Sequence, residues 1–295
     1  MKQYSLTILA IALSTAVFSQ SVQPIFIQDS LKLISSQFKF TEGASVDKSG
    51  NVFFTDQPND KIWKYDTNGK LSLFMEKSGR ANGTYFDKKG NLIVCADERN
   101  EIWSIDMNKN VKVLFSDFEG KKVNGPNDLW IDGKGGIYFT DPYYQRDYWT
   151  RKASELDGEK VYYLPKGKKT AKIVADKMVR PNGIVGTPDG KYLYVADRQA
   201  DVTYRYHINS DASLSDKMLL FKQGSDGMTL DTKGNIYITG KGVDIYKPTG
   251  EKIGHIDVPE DWCGNICFGG TNRDTLFITA SESLYSIKTT AKGVE

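Results

Sequence analysis

Six segments of this chain are variations on one design, and that repetition constrains the fold more than any other feature. DKSGNVFFTD from Asp47, DKKGNLIVCAD from Asp87, DGKGGIYFTD from Asp132, PDGKYLYVAD from Pro188 and DTKGNIYITG from Asp231 each join a polar, glycine-containing turn to a short β-rich run. A sixth, degenerate copy, NRDTLFITAS from Asn272, has lost the turn glycine but keeps the strand pattern. The glycines stand at 50, 90, 135, 190 and 234, so successive copies lie 40, 45, 55 and 44 residues apart. That period suits one four-stranded blade. A single blade buries only part of its apolar faces and needs a neighbour on each side. The copies run almost from end to end of the 295 residues, which predicts one all-β, six-bladed β-propeller with four-stranded blades around a central channel. The composition agrees, with 16 Tyr, 14 Phe, 5 Trp and 27 Gly.

The first twenty residues stand outside this pattern. MKQYSLTILAIALSTAVFSQ reads as a cleaved secretion signal: one lysine, an apolar run from Leu6 to Phe18 too short to span a bilayer, then small residues suited to signal peptidase. The expected organisation is therefore a signal at 1–20 and one propeller domain at 21–295, secreted or periplasmic and free of the membrane after cleavage. Formal charge is +2, and removing Lys2 leaves +1, a field too weak to draw nucleic acid. The basic stretch KGKKTAK at 166–172 lacks interleaved aromatics and reads as a solvated hairpin. Of the three cysteines, Cys263 and Cys267 in CGNIC are either a tight-loop disulfide or two small buried hydrophobes.

Chemistry enters just upstream of the turns. Five residues before Asp47, Asp87, Asp132 and Asp231 stand Glu42, Asn82, Asn127 and Asp226; the matching residues of blades four and six are Asn182 in RPNG and Asn265 in CGNIC. Equivalent positions on the innermost strands of six blades form a ring around the axis. Asn-Gly, as at 82–83 and 182–183, is by itself a common turn signal. Six matched positions with two carboxylates point instead to an oxygen cage for a hard cation, calcium foremost, with Mg2+, Mn2+ or Zn2+ as substitutes. Crowded carboxylates repel one another unless a cation compensates. With only His207 and His255 in the chain, an imidazole-ligated transition metal is not expected.

These residues carry a resemblance to the family of senescence marker protein, gluconolactonase and luciferin-regenerating enzyme. The matching motifs are FTEGASVD around Glu42, GPNDLWID around Asn127, RPNGIVGTPDGKYLYVAD around Asn182, SDGMTLD around Asp226 and GNICFGGTNRDTLFITAS near the C-terminus, together spanning about residues 38 to 288. YFTDPYY, 138–144, looks more like the bacterial gluconolactonase branch. The resemblance implies one catalytic calcium held by Glu42, Asn182 and Asp226, with Asn127 binding the metal or positioning substrate, while Asn82 and Asn265 line the channel. Some relatives use an arginine just before the Asn-Asp pair for the sugar; here Gly125 and Pro126 stand there.

The resulting expectation is a metal-dependent hydrolase of a sugar lactone, acting as monomer or dimer on a small molecule. The cation would polarise the lactone carbonyl, Asp226 would take the water's proton, and Asp128 and Asp197 are weaker alternatives for the base. Asn82, Asp128, Tyr143, Tyr144 and Asn265 are expected at the substrate, and Tyr148 and Trp149 either stack on a sugar ring or pack between loops. No GxSxG elbow is present, which disfavours a serine triad. Two rivals remain: an organophosphate or aryl esterase on the same scaffold, and a non-catalytic propeller whose ion is structural.

Overall fold

A computed structural model describes residues 30–294; the secretion signal expected at 1–20 lies outside the described residues. Among the described residues, 24 strands form six four-stranded antiparallel sheets, so the expected six-bladed propeller is the fold. The first five blades are consecutive in sequence. Blade one, for example, runs Thr41–Val46, Val52–Asp56, Lys61–Tyr65 and Leu71–Glu76 from the axis outwards.

The sixth blade closes the ring. Its three inner strands are Cys263–Gly269, Thr275–Ala280 and Ser283–Lys288, and its outermost strand is Lys32–Ser35 from the other end of the chain. Pairing of Lys32 with Ser286 and Leu33 with Tyr285 thus ties the first strand to the last and closes the ring.

The repeated turns explain the regularity. Asp47, Asp87, Asp132 and Asp231 each accept backbone N–H groups two and four residues ahead through Oδ1, at 2.8 to 3.0 Å. Gly50, Gly90, Gly135 and Gly234 follow at positive φ, where a side chain would be strained. Between blades the core is aliphatic and aromatic. Phe53, Phe54, Tyr138, Phe139, Tyr237 and Phe268 are fully buried, and each such ring contributes about 2 to 3 kcal/mol by area removed from water.

CGNIC is strand, not a loop. Cys263 and Cys267 are free and buried, in two different core clusters. Four residues of strand separate their Cα atoms by roughly 13 Å, about twice the reach of a disulfide. The reading as small buried hydrophobes is the one the structure bears out.

Candidate active site

The innermost strands are irregular at the positions singled out by the repeat. Pairing with the second strand shifts register after Glu42 in blade one, after Ala81 in blade two and after Pro181 in blade four. In blades three and five the regular strand begins only at Leu129 and Met228, two residues beyond Asn127 and Asp226. A bulge adds a residue to one strand and re-aims the side chains beside it. Here it turns polar side chains along the axis instead of into a neighbouring blade.

Adjacent innermost strands meet at the residue that follows. The Gly83 N–H donates to Asn127 O at 2.7 Å, and a Cβ on Gly83 would stand 2.5 Å from that oxygen. Gly43, at φ +53°, would place a Cβ 2.0 Å from Asn82 O. Asn82-Gly83 and Asn182-Gly183 are therefore not turns: they lie within Ala81–Phe86 and Pro181–Gly186, and glycine is there so that blades can approach. The Thr55 hydroxyl donates to Asn82 O at 3.1 Å and that of Thr239 to Gly264 O at 3.0 Å, occupying carbonyls at these junctions.

Glu42, Asn82, Asn127, Asn182 and Asp226 converge on one cavity of about 290 Å³, shared with Tyr144, Gln57, Phe40, Arg146, Arg198 and Trp262. Glu42 is 5% exposed, Asn182 1% and Asp226 9%. Burial pushes the Glu42 carboxyl well above the usual range, and the charges of Asp226 and Asp128 push it further. Burial also raises Asp226, opposed by hydrogen bonds from Trp262 and Asn182 and by the Arg198 charge.

Asp226 is held on both oxygens. Trp262 Nε1 donates to Oδ2 at 2.6 Å, and Asn182 Nδ2 donates to Oδ1 at 2.5 Å. Asn182 Nδ2 is also 3.3 Å from the Tyr144 hydroxyl, whereas its Oδ1 is buried with no partner among the described residues. Orphaned buried oxygens are rare, because each costs about 1–3 kcal/mol. Among the described residues no group of three or more His, Cys, Asp and Glu could hold a metal, so a cation here must draw on carboxamide oxygens as well as on Glu42 and Asp226. Two carboxylates with Asn182 Oδ1 and the carboxamides of Asn82 and Asn127 in the same cavity fit a hard, oxygen-seeking ion.

Four expected site residues lie elsewhere. Asp128 turns away from Asn127 and accepts the backbone N–H groups of Leu129 at 2.9 Å and Ile184 at 3.4 Å. Asp197 accepts those of Val179, Arg180 and Ala200, which makes it a turn organiser. Asn265 Oδ1 accepts the N–H of Ile266 at 2.8 Å, and Tyr143 donates at the surface to Gln145. Tyr148 and Trp149 pack on Asp97, through its carboxylate and its backbone carbonyl, and of the aromatic residues in that loop Tyr144 is the one that reaches the cavity. His207 bonds Asn209, and His255 bonds Asp244; neither lines the cavity.

Sequence reasoning missed Arg146, Arg198 and Trp262. Arg146 leaves the third-blade loop to pair with Asp97 at 2.8 Å, and its ring neighbour is Tyr144. Arg198 follows the fourth-blade strand Tyr192–Asp197 and stacks over Trp262 at 4.4 Å. These two supply the guanidinium groups of the cavity; Gly125 and Pro126 do not line it. The only sequence signal was position: each lies on a connection at the same end of its blade as the ring residues.

Comparison with known proteins agrees with this architecture. A gluconolactonase of Zymomonas mobilis is 29% identical over 299 aligned positions, covering 89% of this chain and 82% of its own. The solved structure of a gluconolactonase from Xanthomonas campestris superposes with a TM-score of 0.82 at 25% identity, over 88% of this chain and 89% of that one. A calcium-binding regucalcin from Agrobacterium tumefaciens shares the fold, with a TM-score of 0.77 at 17% identity over 92% and 97% of the two chains. The family described as SMP-30/Gluconolactonase/LRE-like region matches residues 40–282, which is nearly every blade and the whole cavity, and the chain belongs to that family.

Proposed function

We propose that this protein hydrolyses a small sugar lactone with a divalent cation, calcium by its all-oxygen donor set, held by Glu42, Asn182 and Asp226 with Asn127 beside them. The single observation that carries the reading is Asn182 Oδ1, an orphaned buried acceptor in the same cavity as two buried carboxyls that repel each other. A cation would relieve both penalties at once. The lactone as substrate is supported by the gluconolactonases of Zymomonas mobilis and Xanthomonas campestris.

When bound, the ion would polarise the lactone carbonyl and stabilise the charge that develops on its oxygen. The protein's own groups do the rest. Asp226, its plane set by Trp262 and Asn182, accepts the proton of the attacking water and returns it to the ring oxygen as the C–O bond breaks. Tyr144 and Trp262 wall the cavity, and Asn82, Asn127 and Gln57 offer neutral hydrogen bonds to sugar hydroxyls. A cavity of about 290 Å³ over the donors has room for a ring, which supports catalysis over a purely structural ion. Export through the signal at 1–20 belongs to the same proposal, with N-terminal sequencing of the secreted protein as its check.

The test is a panel of five- and six-membered aldonolactones, an aryl ester and a phosphotriester, each assayed with chelator and after calcium is restored. Lactone turnover that disappears with chelator and returns with calcium is expected. Asp226→Ala should lower it by about a thousandfold while circular dichroism still reports a folded propeller. Turnover indifferent to chelator would remove the ion from the reaction, and turnover of the ester or phosphotriester alone would replace the lactone.

A further inference from the structure

Three arginines stand near the cavity, and two are already matched. Arg146 Nε lies 2.8 Å from Asp97 Oδ2, and Arg180 Nε lies 3.8 Å from Glu159 Oε2. Arg198 makes no ion pair with any described residue. Its guanidinium stacks over the ring of Trp262 at 4.4 Å. The backbone that carries it is anchored: the Arg198 backbone N–H donates to Arg180 O at 2.9 Å, and Asp197 braces the turn by accepting three backbone N–H groups. The cavity it lines also holds the carboxyls of Glu42 and Asp226, the latter raised by burial against the lowering pull of the Arg198 charge, and the neutral amides of Gln57, Asn82 and Asn127.

We infer that Arg198 is a specificity determinant that selects lactones carrying an anionic substituent, a phosphate, sulfonate or carboxylate remote from the ring ester. This rests on the proposed lactonase reading and deepens it. A cation held by Glu42 and Asp226 compensates those carboxylates and leaves the Arg198 charge for the ligand. A half-buried guanidinium, pre-oriented by stacking, loses little freedom on binding and offers a two-pronged donor that an oxyanion matches and a hydroxyl does not. The anionic end would lie against blades four and six, and the neutral hydroxyls against blades one to three.

The experiment titrates the calcium-loaded protein with 6-phosphogluconate and with gluconate by calorimetry, for the wild type, Arg198→Met and Arg198→Lys. It also compares kcat/KM for 6-phosphoglucono-1,5-lactone and glucono-1,5-lactone. The wild type should prefer the phosphorylated member of each pair by about tenfold or more, and Arg198→Met should erase that preference. Arg198→Lys should restore part of it. Phosphate bound only through calcium would keep the preference in every variant and overturn the inference. Equal losses for both ligands would also overturn it, by making Arg198 a general sugar contact. Binding that follows the prediction without lactone turnover would leave the Arg198 assignment standing and sink the lactonase reading.

Discussion

Asp97 and Arg146 join three blades at the cavity wall: Asp97 Oδ2, at the end of a blade-two strand, accepts Arg146 Nε from the blade-three loop at 2.8 Å and Gln57 Nε2 from blade one at 3.2 Å. Asp97 is 2% exposed, and burial raises its carboxyl against the lowering pull of Arg146 and the Tyr148 hydroxyl. Both residues it holds line the cavity.

Asp97→Ala should therefore damage stability and function together. Removing one partner of a buried pair leaves the other charge uncompensated, and a loss of about 3 kcal/mol is expected in denaturant titration. Release of Arg146 and Gln57 should cost roughly tenfold in kcat/KM. Wild-type values in both assays would show that the tie is idle.

Stability should depend on pH through carboxyls that folding has made harder to ionise. Burial pushes Asp141 up to about 7, against hydrogen bonds from the Gly125 and Asn124 N–H groups, and Glu159 up to about 7, against Arg180. In both, the folded state holds its proton more tightly than the unfolded chain does. Stability is then fully present below the ordinary carboxyl range and is lost as pH rises through about 7. Asp189 and Asp244 are shifted the other way, Asp244 by its hydrogen bonds from Lys252, Gln223 and His255 despite burial, and their contribution fades as pH falls below the same range. Thermal melts of the chelated protein should be highest near pH 5 and fall towards pH 8; a melting temperature that climbs across that interval would contradict the assignment.

Gly83→Ala tests the junction between blades two and three. The added methyl would meet Asn127 O at 2.5 Å and the Asp128 Cα at 2.7 Å, both backbone atoms that cannot rotate away. Forced separation of the strands should cost about 1–3 kcal/mol and displace Asn127 from the cavity. Kinetics and melting on the same preparation would check it, and an unperturbed variant would mean the strands are not in contact there.

The repeat alone carried the number of blades, because a turn plus strand recurring at a steady spacing leaves a blade few other ways to bury its faces. It also marked Glu42, Asn82, Asn127, Asn182 and Asp226, which share one cavity because equivalent positions share an axis. Where the alignment slipped, the reading failed. Asn265 sits at the third position of its strand, whereas Glu42, Asn82 and Asn182 sit at the second of theirs, and a one-residue offset turns a strand side chain to the other face. Asp128 faces away from Asn127 for the same alternation.

Ring closure by Lys32–Ser35 and the approach of Arg146, Arg198 and Trp262 belonged to the tertiary structure. Loops carry no periodicity, and the two strands that close the ring come from opposite ends of the chain. Where a loop side chain ends up depends on the placement of its blade beside the next, and only packing of the blades against one another sets that.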